Sequence, residues 1–180
     1  MKTYIALFRG INVGGKNMLP MQELRSVLEK FGARNAKTYI QSGNAVFQFN
    51  GKGIGFADKI SAEIGKRHEF KPYVLLLDSG DLERVIAANP FREAEAVPKN
   101  LHIIFLSGLP KKDALTALEK IKKESEQFRL KGNVFYLHAP EGVGRSKLVA
   151  NMERQFGVPT TGRNWRTVTK IVEMVKEQQG

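Results

Sequence analysis

The 180-residue chain has 42% apolar residues, a net charge of +11 and no cysteine, and its length suits one ordinary domain or two small ones. The lack of cysteine excludes a disulfide scaffold, a thiolate metal site and a cysteine nucleophile. The apolar run Tyr4–Phe8 is too short for a signal-peptide core or a membrane span. The sequence therefore predicts a cytoplasmic protein without membrane association, whose basic charge attracts phosphates and other anions.

The first half of the chain predicts the series β-α-β-β-α-β-α. A strand at Tyr4–Phe8 leads through a long loop to a helix that Pro20 opens, because proline suits the first turn of a helix. A hairpin turning at residues 42–44 follows. After it come a helix over about residues 54–68, with apolar residues along one stripe, a strand at Tyr73–Leu77 and a closing helix.

The second half repeats this series. The two hairpin turns are 89 positions apart, and Pro110 opens a helix 90 positions after Pro20. A helix over about residues 145–156 and a short strand at Val158–Thr161 follow, and a last helix closes the chain. A period of this kind indicates an internal duplication, and β-α-β-β-α-β is the ferredoxin-like pattern.

The predicted fold is thus α+β, with two tandem ferredoxin-like repeats and antiparallel sheets in strand order 4-1-3-2. The first repeat covers residues 1–89, the linker residues 90–100 and the second repeat residues 101–180. In this arrangement the loop after strand 1 and the turn after strand 2 lie at the same end of a sheet. The loops after strands 3 and 4 lie at the other end.

The long loop after the first strand is the first candidate site. It is seven residues longer than its counterpart in the second repeat, and extra loop length in a compact domain usually serves a function. Its glycines allow backbone N–H groups to face an anion beside a lysine, although an ordinary surface loop is the alternative. Gly10 to Lys16 fits the spacing of a phosphate loop, but the following residue is not serine or threonine and a hairpin follows. The candidate ligands are Arg9, Asn12, Gly14, Gly15, Lys16 and Asn17, with Ser42 and Asn44 from the hairpin turn.

Two basic segments of the second repeat form the second candidate site. Residues 141–147 place cations at a helix start, where a bound anion would offset their conflict with the helix dipole. Residues 160–167 follow the fourth predicted strand and contain the single tryptophan, Trp165. Its ring either stacks on a base or packs in the core. The preceding Asn164 either binds the ligand or caps a helix. The candidate ligands are Arg145, Ser146, Lys147, Arg163, Asn164, Trp165 and Arg166.

The sequence contains no recognisable catalytic or metal-binding pattern. His68, His102 and His138 lack the spacing of metal ligands, so no metal and no cofactor is predicted. No carboxylate pair shares a loop with a base or nucleophile, which leaves open whether the protein is an enzyme. The hairpin at residues 131–135 fits the RNA-recognition signature only in part.

Four segments resemble a bacterial family known as domain of unknown function 1697. They are residues 4–17, 38–44, 144–148 and 163–167. The resemblance extends over nearly the whole chain, and it implies a soluble bacterial protein with a duplicated ferredoxin-like architecture. It implies no activity.

Two main hypotheses on function follow. The first is a binding protein for phosphate-bearing ligands, above all nucleic acid, because residues 1–37 carry seven Lys/Arg against two acidic residues, and residues 143–170 carry six against one. The alternative is an enzyme or sensor for a small phosphorylated or acidic metabolite, bound in a cleft between the repeats. A third hypothesis is an interaction protein whose basic surfaces bind an acidic partner protein. The sequence does not determine the oligomeric state, and a monomer is the default expectation.

Overall fold

A computed structural model describes all 180 residues and confirms the predicted fold class. The protein is α+β, with two four-stranded antiparallel sheets that each arise from a β-α-β-β-α-β series. The chain divides into two compact units. Unit 1 comprises Met1–Arg84 and Lys170–Gly180, and unit 2 comprises Val85–Thr169. None of the helices combines the length and the apolar character needed to cross a membrane.

The first sheet has the strand order β2-β3-β1-β4, which is the ferredoxin-like order. Every neighbouring pair of strands is antiparallel. The elements of the first half are β1 (Lys2–Arg9), α1 (Met21–Lys30), β2 (Arg34–Tyr39), β3 (Asn44–Phe49), α2 (Phe56–Arg67), β4 (Tyr73–Asp78) and α3 (Ser79–Ala87).

The second sheet has the equivalent order, β6-β7-β5-β8. A short 3-10 helix at Arg92–Ala96 precedes it. Its elements are β5 (Leu101–Leu106), α4 (Ala114–Ile121), β6 (Gln127–Lys131), β7 (Val134–His138), α5 (Lys147–Phe156), β8 (Thr160–Asn164) and α6 (Trp165–Gln179).

Strand β1 is buried on both faces, which explains why its sequence is a continuous apolar run rather than an alternating one. Tyr4, Ala6 and Phe8 belong to the core that the sheet forms with α1 and α2. Ile5 and Leu7 point to the opposite face and are equally buried. Burial of each large apolar side chain contributes about 1.5–3 kcal/mol, so β1 is the central stabilising element of unit 1.

The end of α6 belongs to unit 1, where polar contacts attach it to β2 and β3. The Gln178 side-chain amide donates hydrogen bonds to the carbonyls of Asn35 at 2.7 Å and Val46 at 3.1 Å. The Lys37 ammonium forms an ion pair with Glu177 at 3.0 Å. The last helix therefore begins in one unit and ends in the other.

The fourth strand of the second sheet begins later than the sequence predicted. Helix α5 ends at Gly157, which has a left-handed φ of 72°, and the chain then pairs with β5 only from Thr160. Arg163 and Asn164 consequently lie within strand β8, and not in a loop after it. Trp165 starts the next helix directly.

Helix α4 also begins later than predicted, at Ala114 and not at Pro110. A turn comes first, in which the Ala114 amide donates to the Lys111 carbonyl at 3.1 Å. The connection between β5 and α4 therefore comprises residues 107–113, and the loop after β1, residues 10–20, is four residues longer than this counterpart and not seven as predicted.

Candidate functional site

The loop after β1 folds into a small hairpin of its own. Val13 and Lys16 form an isolated antiparallel bridge, closed by a 3.1 Å hydrogen bond from the Lys16 amide to the Val13 carbonyl. The two residues between them, Gly14 and Gly15, have φ values of 59° and 73°. Positive φ at both central positions is the geometry of a type I′ turn and favours glycine. The glycines therefore form an ordered, exposed turn, and no phosphate loop leading directly into a helix is present.

Asn12 connects this hairpin to the rest of unit 1. Its side-chain amide donates to the carbonyls of Leu19 at 2.9 Å and Gln41 at 2.8 Å, and its Oδ1 accepts from the Leu19 amide at 2.7 Å. An asparagine amide has two N–H donors, and both are used here. Asn12, a candidate ligand by sequence, therefore holds the loop in place through these bonds.

The β2–β3 turn packs directly against the same loop. Gly43 has a φ of 86°, and a Cβ at this position would lie 2.6 Å from Phe8 Cβ and 2.6 Å from Ile11 Cδ1. The Phe8 amide donates to the Gly43 carbonyl at 2.8 Å. These contacts confirm that the loop after the first strand and the turn after the second lie at one end of the sheet.

The other candidates of this group differ in exposure. Asn17 donates to the Gly10 carbonyl at 2.7 Å, and Asn44 is fully buried and donates to the Tyr39 carbonyl at 3.0 Å. Ser42 is half-buried. The charged members that remain exposed are Arg9 and Lys16, and Arg9 also interacts with neighbouring protein atoms.

We call residues 9–18 together with residues 40–42 the loop tip. No Asp or Glu occurs in residues 1–22 or 34–57, so neither segment supplies a carboxylate to offset the cations of the tip. Three apolar side chains are also exposed there, Val13 at 62%, Met18 at 56% and Ile40 at 49%. Ile40 has a φ of 49°, which is an outlier for a β-branched residue, and such strain is concentrated at functional sites. The loop tip is therefore a basic and partly apolar surface.

The cations of the 141–147 segment lie on either side of a helix cap. Ser146 is buried, and its hydroxyl accepts the Val149 amide hydrogen bond at 3.1 Å. Arg145 and Lys147 are exposed. Of the three candidates, Ser146 thus has a structural role, and the two cations flank the start of α5.

The structure places Trp165 in the core and makes Asn164 a helix cap. Trp165 is 5% exposed, so no face of its ring is available to a base. The Asn164 side-chain oxygen accepts from the Thr167 amide at 3.0 Å, as a helix cap does. Arg166, the next residue of α6, is exposed.

Unit 2 contains a cavity of about 290 Å³ between one face of its sheet and helix α5. Arg163 and Asn164 of β8 line it, together with two residues that the sequence analysis did not select, His102 of β5 and Glu153 of α5. His102 and Asn164 are direct partners in the β5–β8 pairing. This pairing places His102 and Asn164 on one face of the sheet, and no local sequence signal indicates it.

Burial controls the electrostatics of this cavity. It lowers the pKa of His102, against the opposing effect of a hydrogen bond to the Lys99 carbonyl, so the imidazole is neutral at pH 7. Burial also lowers the pKa of Arg163 to about 10, which leaves the guanidinium charged at pH 7. One Arg163 N–H donates to the Gly162 carbonyl at 2.8 Å.

Two comparisons identify proteins that are similar to this chain. The protein belongs to the family described as a protein of unknown function, DUF1697, whose model matches residues 1–136. It is similar in structure to a conserved bacterial protein from Streptococcus pneumoniae, with a TM-score of 0.76 and 25% sequence identity, over 97% of this chain and 98% of that chain. No curated protein matches the sequence.

Proposed function

We propose that the protein binds phosphate-bearing ligands, above all nucleic acid, through the loop tip of unit 1. The observation that carries the proposal is the exposure of Arg9 and Lys16 on a loop held by internal hydrogen bonds, in chain segments without any carboxylate. Cations that contact phosphates release counterions, and this release supplies most of the affinity of non-specific nucleic-acid binding.

Two observations support contacts with the phosphate backbone rather than with bases. Trp165 is buried, and the sheet face on which RNA-recognition motifs stack bases is covered in unit 1. On that face Ile5 and Leu7 are buried, and Gln178 of α6 bonds to the Val46 carbonyl. Binding through Arg9 and Lys16 would therefore depend little on base sequence.

The exposed apolar residues of the loop tip suit the same ligand. Val13 and Met18 flank the glycine turn and Lys16, so they would meet sugar or base surfaces once the cations contact phosphates. Proteins that bind the minor groove combine basic residues with apolar side chains in this way.

The proposal is tested by fluorescence anisotropy with labelled single- and double-stranded RNA and DNA at low and physiological salt. The variants are Arg9→Ala and Lys16→Ala, and the matched control is Lys59→Ala, an exposed lysine on α2 that removes the same charge outside the loop tip. The logarithm of the affinity falls with the logarithm of salt by about 0.9 per phosphate contacted on duplex DNA. Each tip variant should reduce this slope by about one contact, and the control should not.

Two results would contradict the proposal. One is the absence of binding at low salt, and the other is a salt slope that changes equally in the tip variants and in Lys59→Ala. Circular dichroism of Arg9→Ala checks that the contacts of Arg9 with the protein are not needed for folding. The emission of Trp165 is an internal control, because a buried ring should not respond to a ligand at the loop tip.

The alternative function, binding or conversion of a small acidic metabolite, is supported by a different observation. The cavity of unit 2 is of metabolite size, and polar residues such as His102, Glu153 and Asn164 are among those that line it. This observation concerns unit 2 alone and does not depend on the loop tip.

A further inference from the structure

Strand β4 is an edge strand of the first sheet, and the pairing of β1 shows which of its backbone groups point outward. The Phe8 amide of β1 donates to the Gly43 carbonyl on the β3 side. Because successive residues of a strand direct their N–H and C=O groups to opposite sides, the groups of Leu7 point towards its β4 partner, Leu75. The groups of Leu75 are therefore used within the sheet, and those of residues 74 and 76 point away from it.

Side chains satisfy both ends of this outward edge and leave its middle open. At one end the Asp78 amide donates to Asp81 Oδ2 at 3.0 Å, and at the other the Ser61 hydroxyl donates to the Pro72 carbonyl at 2.7 Å. Between them, no protein group bonds to the outward N–H and C=O groups of residues 74 and 76. We call residues 74–76 the open edge, which can pair with a further strand.

The other three sheet edges have features that oppose such pairing. Strand β2 has an irregular register between Arg34 and Lys37. Strands β6 and β8 contain basic residues, namely Arg129, Lys131 and Arg163. The segment from Tyr73 to Leu77 contains no charged residue and no irregularity of pairing. Natural sheets use charges and bulges to keep their edges from pairing with another chain, so β4 is the edge that is suited to it.

The charges that flank the open edge indicate a second copy of this chain as the partner. The exposed Lys71 precedes the open edge and Asp78 follows it. Antiparallel pairing of two copies brings Lys71 of each copy towards Asp78 of the other, whereas a parallel pairing would place like charges side by side. We therefore infer that the open edges of two copies pair in antiparallel orientation and join their first sheets. The contact is identical from either copy, so it forms a closed two-fold dimer.

The outward backbone groups determine the register of this dimer. Val74 of one copy exchanges N–H···O=C bonds with Leu76 of the other, and the two Leu75 side chains meet on the two-fold axis as a non-hydrogen-bonded pair. Ile54 adds apolar surface beside the strand, because it is 88% exposed and lines a shallow depression together with Leu76. The protein is thus a dimer, in contrast to the monomer expected by default. The pairing does not involve the loop tip and is independent of nucleic-acid binding.

Disulfide cross-linking tests the register, because the natural chain has no cysteine. In Leu75→Cys the two thiols face each other across the axis, at the Cα separation of about 4.5 Å of such a pair, which a disulfide can span. Leu77→Cys is the matched control on the same face of β4. It lies opposite Tyr73 of the other copy, so its two thiols are about 13 Å apart along the strands. We expect Leu75→Cys to form covalent dimers at least tenfold faster than Leu77→Cys under mild oxidation, measured on non-reducing gels.

Analytical ultracentrifugation of the full chain tests the association itself. The wild-type protein should reach twice the chain mass of 20.2 kDa as its concentration rises. Leu75→Lys and Leu75→Glu each place like charges opposite each other on the axis, so each protein alone should be monomeric and a mixture of the two should form dimers again. Leu115→Lys, at an exposed leucine of α4, is the matched control and should remain dimeric. Circular dichroism checks that each variant is folded.

Three outcomes would overturn the inference. They are a wild-type protein that stays monomeric up to submillimolar concentration, equal rates of cross-linking for Leu75→Cys and Leu77→Cys, or a folded Leu75→Lys protein that is as dimeric as Leu115→Lys. The cysteine variants change the side chain least, so they decide the question even if a charge at position 75 prevents folding.

Discussion

Replacing Asn12 should destabilise the loop tip, because its side chain makes three hydrogen bonds that hold the loop in place. Asn12→Ala removes two partly buried hydrogen bonds with Leu19 and one exposed bond with Gln41, worth about 1 kcal/mol each for the buried pair and about 0.5 for the exposed one. Asn12 also has a φ of 53°, a conformation that costs alanine about 1 kcal/mol. We therefore expect a loss of about 3.5 kcal/mol in the free energy of unfolding, measured by urea denaturation.

Asn17→Ala is the matched control in the same loop. Asn17 has a similar φ of 51° but only one exposed side-chain bond, to the Gly10 carbonyl, so it should cost about 1.5 kcal/mol. Amide hydrogen exchange gives a local readout, because the Leu19 amide, whose acceptor is Asn12 Oδ1, should lose protection only in Asn12→Ala. Equal costs for the two variants, or unchanged protection of Leu19, would refute the reasoning.

The remaining predictions concern a glycine contact and the half-buried His102. Gly43→Ala should cost about 2–4 kcal/mol, because the new Cβ would clash with Phe8 and Ile11 in addition to the strain of positive φ. In Gly14→Ala the added Cβ meets no atom within 4 Å, so this substitution should cost only about 1 kcal/mol. Equal unfolding free energies of the Gly43→Ala and Gly14→Ala proteins would contradict the prediction. The pKa of His102 is lowered below its ordinary 6.5 in the folded protein, so the unfolded chain takes up the proton first and stability should fall as pH drops below about 6.5. His102→Phe should flatten this part of the pH–stability curve relative to wild type, and an unchanged curve would contradict the assignment.

The order of the elements was predictable because it depends on local signals. Two hairpins with a Gly-Asn pair and two helix-opening prolines recur at offsets of 89 and 90 positions, and this period indicates two copies of one unit. The ferredoxin-like pattern then fixes which loops share an end of the sheet, as the contact of Gly43 with Ile11 confirms. The boundaries of α4 and β8 were less accurate, because turns and strand pairing with distant residues determine where an element begins.

The side-chain roles at the candidate sites were not predictable in the same way. Asn12 and Arg9 stand three residues apart in one polar loop, yet Asn12 is engaged by the backbone and Arg9 is exposed. In sequence, Trp165 among arginines is compatible with stacking or with burial, and only the packed structure shows it to be 5% exposed. A hydrogen-bond partner or a covering helix that is distant in sequence cannot be recognised from the residues next to the side chain.

The sequence by itself determined the duplication, the sheet order, the basic charge and the grouping of the glycine loop with the hairpin turn. The tertiary structure alone decided that the end of α6 belongs to unit 1 and that His102, Glu153 and Arg163 line one cavity. Periodicity and turn chemistry act over a few residues, so they can be recognised along the chain. A cavity depends on the register of β5 against β8 and on the position at which α5 packs on the sheet. Both are determined by the burial of side chains that are far apart in sequence.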